Sequence, residues 1–273
     1  MTNCRICGTT NFEEIILEGF TIQKCKNCGL GLLKNYPTAE EVKQIYNPGY
    51  FNSKTLEDHK NDSKKKYNFM KNYLSIGSKI LDYGCGTGNF IKAAKEGGMD
   101  VCGFDVSAFA SETVSRELGV LVKSGEPSPE LYPKEAFDAI VAFDVIEHLT
   151  DFDIILDYYY LWLKPGGYLF FTTPNLESWD SKILGKSWYG YKKYPEHINY
   201  FTPKSIKLAL EKFHYNVVEI KTWGFIRSLN YIVSNLVKNP ILKNYLSKCL
   251  TKTHLENLEV YLPMVDMVVV AHK

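Results

Sequence analysis

Short apolar runs alternate with amphipathic stretches along this chain from about residue 76 to its end. The runs are rich in branched and aromatic residues and are too short for buried helices, so they favour strands. Strands separated by helical patterns, such as the one over residues 90–95, indicate βαβ units and a mainly parallel sheet. The pattern predicts strands within residues 79–81, 101–104, 120–122, 139–143, 168–171, 216–220 and 267–271.

The segment between the last two predicted strands, residues 225–261, has a helical pattern and is too long for a plain connection. We therefore expect a helical insertion over one edge of the sheet. Its leucines and isoleucines stand among lysines, which leaves two interpretations open: a cap over a bound substrate, or an element that lies on a membrane surface. We favour the cap.

The chain before residue 76 is more polar. Residues 37–75 are basic and are punctuated by Asn47-Pro48-Gly49, and the lysine-rich run at residues 60–66 is typical of a solvated helix face. These changes in pattern divide the chain into four parts: a small N-terminal unit (1–36), a helical linker (37–75), an α/β domain (76–224 and 262–273) and the helical insertion (225–261).

Four of the seven cysteines lie within the first 28 residues. Cys4 and Cys7, and Cys25 and Cys28, form two C-x2-C pairs with seventeen residues between them, a spacing expected for four thiolates around one Zn²⁺ ion. A zinc ion with four protein ligands has no open position, so such a site is structural. The alternative, two disulfides or unrelated free thiols, is disfavoured because the chain starts without a secretion signal. We therefore predict an N-terminal zinc ribbon.

The charges are balanced, with 32 basic and 31 acidic side chains and a formal net charge of +1. A protein dedicated to duplex DNA needs a surplus of positive charge, so this balance argues against that class. No uninterrupted apolar stretch of eighteen residues is present, which argues against a membrane-spanning helix. Together with the N-terminal sequence, this predicts a cytoplasmic protein.

A glycine loop follows the first predicted strand of the α/β domain. Gly84, Gly86 and Gly88 alternate directly after the strand and before a helix. The first glycine permits a sharp turn, and the others let a ligand lie against bare backbone at the start of the helix. A nicotinamide-dinucleotide fingerprint needs its third glycine one position later, where Asn89 stands, so the loop indicates a different nucleotide ligand.

Two carboxylates flank this loop. Asp82, at the end of the strand, would repel a pyrophosphate and suits a ligand that carries positive charge. Asp105 ends the next predicted strand, where a carboxylate can accept hydrogen bonds from both hydroxyls of a ribose. The site therefore predicts a nucleoside with a cationic group and no phosphates, a description that S-adenosylmethionine fits.

Five motifs, in order along the chain, resemble those of class I S-adenosylmethionine-dependent methyltransferases. They are Leu81-Asp82-x-Gly84-Cys85-Gly86-x-Gly88, Gly103-Phe104-Asp105-Val106-Ser107, Phe137-Asp138-x-Ile140, the segment from Phe143 to Leu149, and Leu163-Lys164-Pro165-Gly166-Gly167. The resemblance implies a Rossmann-like α/β fold, with a seven-stranded mainly parallel sheet and helices on both faces. It also implies methyl transfer from S-adenosylmethionine.

The same resemblance implies roles for individual residues. Asp105 would take the ribose, Val106 would pack on the adenine, and Asp144 would lie in the cofactor site. The family usually has an aspartate near the adenine amino group after the third strand; here Glu126 or a backbone group takes that place. The methionine tail would be held by Asp82, Gly84, Cys85, Gly86 and Gly88.

A second resemblance covers the front of the chain. The segments 25–30 and 36–41, followed by Tyr46, Tyr50 and Phe51, resemble a methyltransferase subgroup in which a zinc ribbon and a helical linker precede the catalytic domain. Members of this subgroup often act on sugars, nucleotide-sugars or other small metabolites. The resemblance implies a structural Zn²⁺ ion and a small-molecule acceptor that is methylated on a hydroxyl or a carbon.

Candidate catalytic residues follow the fifth predicted strand. A hydroxyl or carbon acceptor must lose a proton, and His197, with an ordinary pKa of about 6.5, can accept it at neutral pH. Glu196 would orient His197 or contact the substrate. The segment resembles a Tyr-x-Glu-His stretch with catalytic residues in zinc-ribbon sugar C-methyltransferases, which implies roles for Tyr194, Glu196 and His197. The alternative is that His197 packs or caps a loop, and His148 is interpreted as part of the scaffold beside the cofactor.

Some alternatives stay open at the level of sequence. The aromatic stretch 179–194 is either a lid over the substrate or ordinary packing, and its lysines favour an anionic substrate. One rival function is an RNA methyltransferase that uses the zinc ribbon for nucleic-acid contact, although the balanced charge argues against nucleic acid as a partner. The other is a non-catalytic cofactor-binding partner, since intact Asp82, Asp105 and glycines predict binding and not transfer.

Overall fold

The computed structural model describes residues 3–45, 60–237 and 239–273, so the motif residues Tyr46, Tyr50 and Phe51 lie outside the described part. The strands are β1 (Phe12–Ile16), β2 (Thr21–Cys25), β3 (Gly31–Leu33), β4 (Lys79–Tyr83), β5 (Asp100–Asp105), β6 (Val122–Ser124), β7 (Phe137–Phe143), β8 (Leu163–Pro174), β9 (Asn199–Tyr200), β10 (Asn216–Ser228) and β11 (Glu259–His272). The α-helices are α1 (Ala39–Ile45), α2 (Lys60–Met70), α3 (Asn89–Glu96), α4 (Ala108–Leu118), α5 (Phe152–Trp162), α6 (Trp179–Leu184), α7 (Tyr189–Lys192), α8 (Pro203–Lys212), α9 (Leu229–Leu236) and α10 (Pro240–Thr253).

Seven strands form the large sheet, in the order β10-β11-β8-β7-β4-β5-β6. The pairs from β8 to β6 are parallel, whereas β11 runs antiparallel to both of its neighbours. This arrangement confirms the predicted seven-stranded, mainly parallel sheet. The β6 prediction is displaced, because Gly119 ends α4 in a left-handed conformation and pairing starts only at Val122.

Consecutive residues of the central strands belong to two separate cores. Leu81 and Ile140 pack with α5 and α8 on one face, while Ile80 and Ala139 pack with α2, α3 and α4 on the other. Side chains of a strand alternate between the two faces of a sheet, so a strand that is apolar at successive positions must be covered on both sides. The predicted helices on both faces are therefore present.

The last two strands extend beyond the sheet. β10 pairs with β11 over nearly its whole length, from Asn216 to Ser228, whereas β11 pairs with β8 only from Asp266 onward. The part of this hairpin beyond the sheet carries α9 and α10 at its tip. Within residues 225–261, helix therefore occupies only the middle, and both ends are strand. None of the helices in the described ranges is long and apolar enough to cross a membrane.

A second, four-stranded antiparallel sheet has the order β1-β2-β3-β9. Its first three strands come from the N-terminal 33 residues, and the fourth comes from the loop region after β8. The backbone register pairs Gly31 with Tyr200 and Leu32 with Asn199. Arg5 reinforces the contact through Asp151, with Nη2 lying 3.1 Å from Oδ1. The N-terminal sheet is thus joined to the α/β part next to the predicted catalytic segment.

Candidate cofactor and active site

The sheet reverses its order of connection between β4 and β7. From β4 the chain continues outward to β5 and β6 on one side, and it returns to β7 and then β8 on the other side. A crevice forms at the carboxyl ends of the strands at such a switch point, and ligands of open α/β sheets bind there. Asp82, Asp105 and Asp144 stand at or just after the ends of β4, β5 and β7. The topology therefore gathers the predicted cofactor residues at one edge.

The glycine loop has the geometry of a ligand cradle. Gly84 has φ of +77°, and a Cβ atom there would lie 2.5 Å from Cγ2 of Val145, so no side chain fits. Gly86 also has a positive φ, of +51°, but a Cβ atom there would meet nothing within 4 Å. The backbone of Gly86 therefore faces open space, where a ligand can lie against it, and Gly88 directly precedes α3.

Asp105 holds this loop against the end of β5. Its Oδ2 accepts a hydrogen bond from the backbone N–H of Gly86 at 2.8 Å, and its Oδ1 accepts one from Ser107 at 2.9 Å. Burial raises the pKa of Asp105, while the two backbone donors lower it. Next to it, the side chain of Val106 is exposed, and Glu126 is exposed in the loop after β6. The positions fit a ribose beside Asp105 and a ring against Val106.

Asp82 is a buried carboxylate with an unsatisfied oxygen. It is 3% exposed, and its Oδ2 has no hydrogen-bond partner. Burial raises the pKa of Asp82 to about 8, although Lys66 acts in the opposite direction. A buried polar atom without a partner is costly, and a cationic ligand group would satisfy this one. The residue therefore fits the predicted contact with the cationic part of the cofactor.

Asp82 also gives a prediction about stability. Its folded-state pKa lies above the ordinary 3.8, so its favourable contribution is complete at low pH and is lost as the pH rises towards about 8. An Asp82→Asn side chain does not titrate. We expect the melting temperature of the ligand-free variant, relative to the native protein, to increase steadily between pH 5 and pH 8.5 in scanning calorimetry. A difference that stays constant over this range would contradict the burial argument.

Lys66 is a site residue that the sequence did not reveal, and the expectation of a solvated face at residues 60–66 is wrong for it. Lys66 is 8% exposed, and its Nζ lies 2.6 Å from Oδ2 of Asp144. Burial lowers the pKa of Lys66, but the carboxylate of Asp144 outweighs this effect and holds the pKa above its ordinary value. Oδ1 of Asp144 accepts a hydrogen bond from Thr172 at 2.6 Å. A lysine in a basic run can find a carboxylate far away in sequence, which local pattern does not show.

His197 and His148 are in contact. Their ring centroids are 4.8 Å apart at an angle of 69°, and His197 is 6% exposed. Nδ1 of His197 lies 3.1 Å from the carbonyl oxygen of Gly190, and Nδ1 of His148 lies 2.9 Å from that of Glu196. Burial lowers the pKa of His148, and lowers that of His197 further, so both rings are neutral at pH 7. The structure thus places His148 with the candidate base.

The other predicted catalytic residues have different surroundings. Glu196 contributes its carbonyl to His148, and the acceptor that orients His197 is the Gly190 carbonyl. Tyr194 is 43% exposed, and its ring stacks on Phe20 of the N-terminal sheet at 4.2 Å. The structure therefore brings His197 to His148, and Tyr194 to the N-terminal sheet.

The aromatic stretch 179–194 is packed in part, and the lid over a substrate stays a prediction. Trp188 is fully buried, and its Nε1–H donates to Oδ2 of Asp180 at 2.9 Å, which is ordinary packing. Trp179 and Tyr189 are exposed, and Nζ of Lys193 lies 5.8 Å from the centroid of the Tyr189 ring. The stretch is therefore anchored by one tryptophan and leaves other rings open to solvent.

The four N-terminal cysteines converge at one point. Sγ of Cys4 lies 3.5 Å from that of Cys28, Cys7 and Cys25 are separated by the same distance, and all four sulfurs lie within 4.8 Å of one another. Four sulfurs around a tetrahedral zinc ion at 2.3 Å stand about 3.8 Å apart. The hydrogen bond from Cys28 lowers the pKa of Cys4 to about 5. The donor set therefore fits the predicted zinc ribbon.

Backbone hydrogen bonds connect the cysteine-bearing sheet to the histidine pair. The N–H of Leu33 donates to the carbonyl of Ile198, and the N–H of Ile198 donates to the carbonyl of Glu147, both at 3.0 Å. Asn199 adds a side-chain bond to Leu149 at 2.8 Å and accepts one from Tyr36 at 2.7 Å. The segment that carries His197 is thus fixed between the N-terminal sheet and the loop after β7.

The fold and the crevice together define a class. Class I S-adenosylmethionine-dependent methyltransferases share three features that are present here. They have a seven-stranded sheet with one antiparallel strand, a glycine loop after the strand at the switch point, and a carboxylate at the end of the next strand. Comparison with known proteins agrees with this class. Residues 54–220 match the methyltransferase domain family.

Individual proteins are similar to this chain in fold or over part of the sequence. An S-adenosylmethionine-dependent methyltransferase from Archaeoglobus fulgidus has a similar fold, with a TM-score of 0.56 and 20% identity over 80% of this chain and 99% of that one. The ubiquinone biosynthesis O-methyltransferase of Photorhabdus laumondii is 29% identical over 119 residues, which are 40% of this chain and 49% of that protein. Phosphoethanolamine N-methyltransferase 3 of Arabidopsis thaliana is 34% identical over 105 residues, which are 36% of this chain and 21% of that protein.

The family match covers more than half of the chain, and the chain therefore belongs to the methyltransferase domain family. The prediction of a class I S-adenosylmethionine-dependent methyltransferase is confirmed at this level, and the family supports S-adenosylmethionine as the cofactor. The chain spans about half or less of the length of these two curated relatives. Neither relative is named for a sugar substrate.

Proposed function

We propose that this protein transfers a methyl group from S-adenosylmethionine to a hydroxyl or a carbon of a small metabolite. The observation that carries the proposal is the buried, unsatisfied oxygen of Asp82 beside a glycine loop that Asp105 holds open. An unpaired buried carboxylate needs a cationic ligand, and the open backbone of Gly86 accommodates a nucleoside. S-adenosylmethionine combines the two groups.

The cofactor contacts follow from these positions. Asp82 binds the cationic methionine tail, Asp105 binds the ribose hydroxyls, and Val106 and Glu126 lie on the adenine side. Asp144 completes the crevice with its partner Lys66, whose cation offsets the negative charge of the surrounding carboxylates. The tail rests on the loop formed by Gly84, Cys85, Gly86 and Gly88.

The proposed methyl acceptor is a small molecule, and sugars and nucleotide-sugars are the first class of acceptor to test. This finer proposal rests on the resemblance of the front of the chain and on the exposed Trp179, whose indole offers a flat surface for a ring. The names of the relatives, a ubiquinone biosynthesis O-methyltransferase and a phosphoethanolamine N-methyltransferase, keep phenolic and amine acceptors in the same test.

The chemistry requires alignment and removal of one proton. Methyl transfer is an in-line displacement, in which the acceptor atom takes the methyl group and the sulfur keeps the electron pair of the broken bond, so positioning supplies much of the acceleration. With Nδ1 held by the Gly190 carbonyl, Nε2 of His197 carries the lone pair that accepts the proton of the acceptor. Glu196 and Tyr194 are proposed to contact the acceptor from the same loop.

A matched pair of histidine variants tests this role. We expect His197→Asn to lower kcat by about 10²–10⁴-fold, because a positioned base contributes a factor of that size. Its affinity for S-adenosylmethionine in calorimetry should stay unchanged. The control is His214→Asn, an exposed histidine whose positive φ asparagine tolerates, and it should keep the native rate. Native turnover by the His197 variant would exclude it from proton removal.

We also propose that Cys4, Cys7, Cys25 and Cys28 bind one structural Zn²⁺ ion. The four sulfurs already stand close to the spacing of a tetrahedral site, and the N–H of Cys28 points to Sγ of Cys25 at 3.4 Å. A four-thiolate site has no open position, so the ion stabilises the N-terminal sheet and does not take part in the transfer.

One experiment tests the function as a whole. The purified protein is incubated with methyl-labelled S-adenosylmethionine and a panel of nucleotide-sugars, free sugars, phenols and phosphoamines, and any labelled product is identified by mass spectrometry. A labelled sugar product supports the full proposal. A labelled phenol or amine would support methyl transfer but would show that the acceptor is not a sugar. Binding of the cofactor without any labelled product would instead support a non-catalytic cofactor-binding protein.

A further inference from the structure

A second cluster of potential metal ligands lies next to the cofactor crevice. It consists of Glu147 and His148, in a short turn after β7, and His197, before β9. One ligand atom from each residue lies within 4.8 Å of the others, and Nε2 of His148 is 3.9 Å from Oε1 of Glu147. The cluster therefore brings two imidazoles and a carboxylate from two separate segments to one point.

Both imidazole rings are oriented as metal ligands are. Nδ1 of His148 and Nδ1 of His197 each face a backbone carbonyl, at 2.9 and 3.1 Å, so each Nδ1 carries the hydrogen. Nε2 is then the nitrogen with the lone pair on both rings. Histidines that bind metals almost always donate their other N–H to a carbonyl or carboxylate in this way, because the bond fixes the tautomer and the ring.

The carboxyl group of the cluster is buried, and one of its oxygens is unsatisfied. Glu147 is 1% exposed, and its Oε2 has no hydrogen-bond partner. A fully buried carboxyl oxygen without a hydrogen-bond partner destabilises the folded state, and coordination of a cation by the group satisfies it. This is a second observation, independent of the ring orientations, that points to a missing positive ligand.

We propose that Glu147, His148 and His197 bind one divalent transition-metal cation, whose remaining coordination positions hold the acceptor oxygen. The inference rests on the proposed methyl transfer and deepens it, because it names the chemistry of the acceptor: an oxygen able to coordinate a cation. Two histidines and one carboxylate suit zinc, iron or cobalt, and three protein ligands leave positions open for water or substrate. In this respect the site differs from the closed four-cysteine cluster.

The cation changes the route of the proton. In the cation-loaded protein Nε2 of His197 is a ligand, and the coordinated acceptor hydroxyl loses its proton to water because a divalent cation lowers the pKa of a bound hydroxyl. The resulting oxygen anion then takes the methyl group, and the sulfur keeps the electron pair of its broken bond. Direct proton transfer to His197 belongs to the cation-free protein.

Cobalt binding to protein prepared with one Zn²⁺ ion per chain, which the four-cysteine site is proposed to hold, tests the second site without an activity assay. We expect one Co²⁺ ion per chain, with visible absorption bands of nitrogen and oxygen ligation and without the near-ultraviolet charge-transfer band of a thiolate. Glu147→Gln, which keeps the shape of the side chain, and His148→Asn should each weaken the Kd by more than the roughly 10–100-fold that loss of a supporting partner costs. His214→Asn should bind Co²⁺ like the native protein.

The outcomes separate this inference from the proposed function. If the protein binds S-adenosylmethionine in calorimetry but no Co²⁺ in addition to its zinc, the cation site is overturned and the methyltransferase proposal stands. If Co²⁺ binds with the same Kd to the native protein and to both variants, the ligand assignment is overturned. If the variants lose Co²⁺ and the native protein binds no S-adenosylmethionine, the site is supported and the proposed function fails.

Discussion

Replacing Asp105 by alanine is expected to weaken the binding of S-adenosylmethionine by about 100-fold or more. The carboxylate has two tasks: it accepts the N–H of Gly86, which shapes the loop, and it stands where the ribose hydroxyls are proposed to bind. Hydrogen bonds to a charged group contribute about 1.5–3 kcal/mol each. The loss of the two proposed bonds from the ribose hydroxyls therefore amounts to roughly 3 kcal/mol or more. Since 1.4 kcal/mol is a factor of ten, about 100-fold is the lower end of the expected effect.

Isothermal titration with S-adenosylmethionine measures this effect, and the same strand offers a control. Asp100→Ala removes an exposed carboxylate at the start of β5, at the opposite end from the crevice, and should leave the Kd unchanged. Asp105→Asn keeps one oxygen that can accept the N–H of Gly86, so its Kd should lie between those of Asp105→Ala and Asp100→Ala. An unchanged Kd for Asp105→Ala would remove this residue from the cofactor site and would call for another position of the ribose.

The elements that the sequence predicted well are those determined by local pattern. β4 and the glycine loop follow from an apolar run and from three glycines, all of which have a positive φ. The cysteine cluster follows from two C-x2-C pairs, because such a spacing lets two turns present their sulfurs to one ion. In each case the residues that create the feature are close together in the chain.

The features that the sequence did not reveal depend on distant partners. Lys66 becomes a site residue only because α2 brings it to Asp144, which follows β7 and stands 78 residues later in the chain. Likewise, β9 is two residues long, and it forms a strand because β3, more than 160 residues earlier in the chain, provides its hydrogen bonds. No local period marks such a short strand. His148 belongs with His197 for the same reason, since the backbone bond from Ile198 to Glu147 brings their segments together.

Loss of one cysteine ligand is the other change for which we expect a large effect. Structural zinc contributes about 10–16 kcal/mol in isolated zinc-finger peptides, so a site with only three thiolates loses much of what orders its sheet. β1 has no buried residue and β2 buries only Ile22 and the proposed ligand Cys25, so this outer pair of strands has little else to stabilise it. We therefore expect Cys28→Ser to lower the zinc held by the four-cysteine site from about one ion per chain to well below that value and to unfold the N-terminal sheet.

The consequences of that change should reach the histidine pair. β3 holds β9, and the N–H of Leu33 binds the carbonyl of Ile198, next to His197, so unfolding of the sheet releases that segment. In Cys28→Ser, hydrogen exchange should lose protection at Leu33 and Ile198 while the strands of the large sheet stay protected, and transfer activity should fall with them. Cys249→Ser, in α10 and outside the cluster, is the matched control and should keep both its metal and its exchange pattern. A Cys28 variant that retains its ion would show that Cys28 is not a required ligand. A variant that loses the ion but keeps full protection at Ile198 would show that the sheet does not depend on zinc, because other contacts of the N-terminal sheet, such as Arg5 with Asp151, then suffice to hold it.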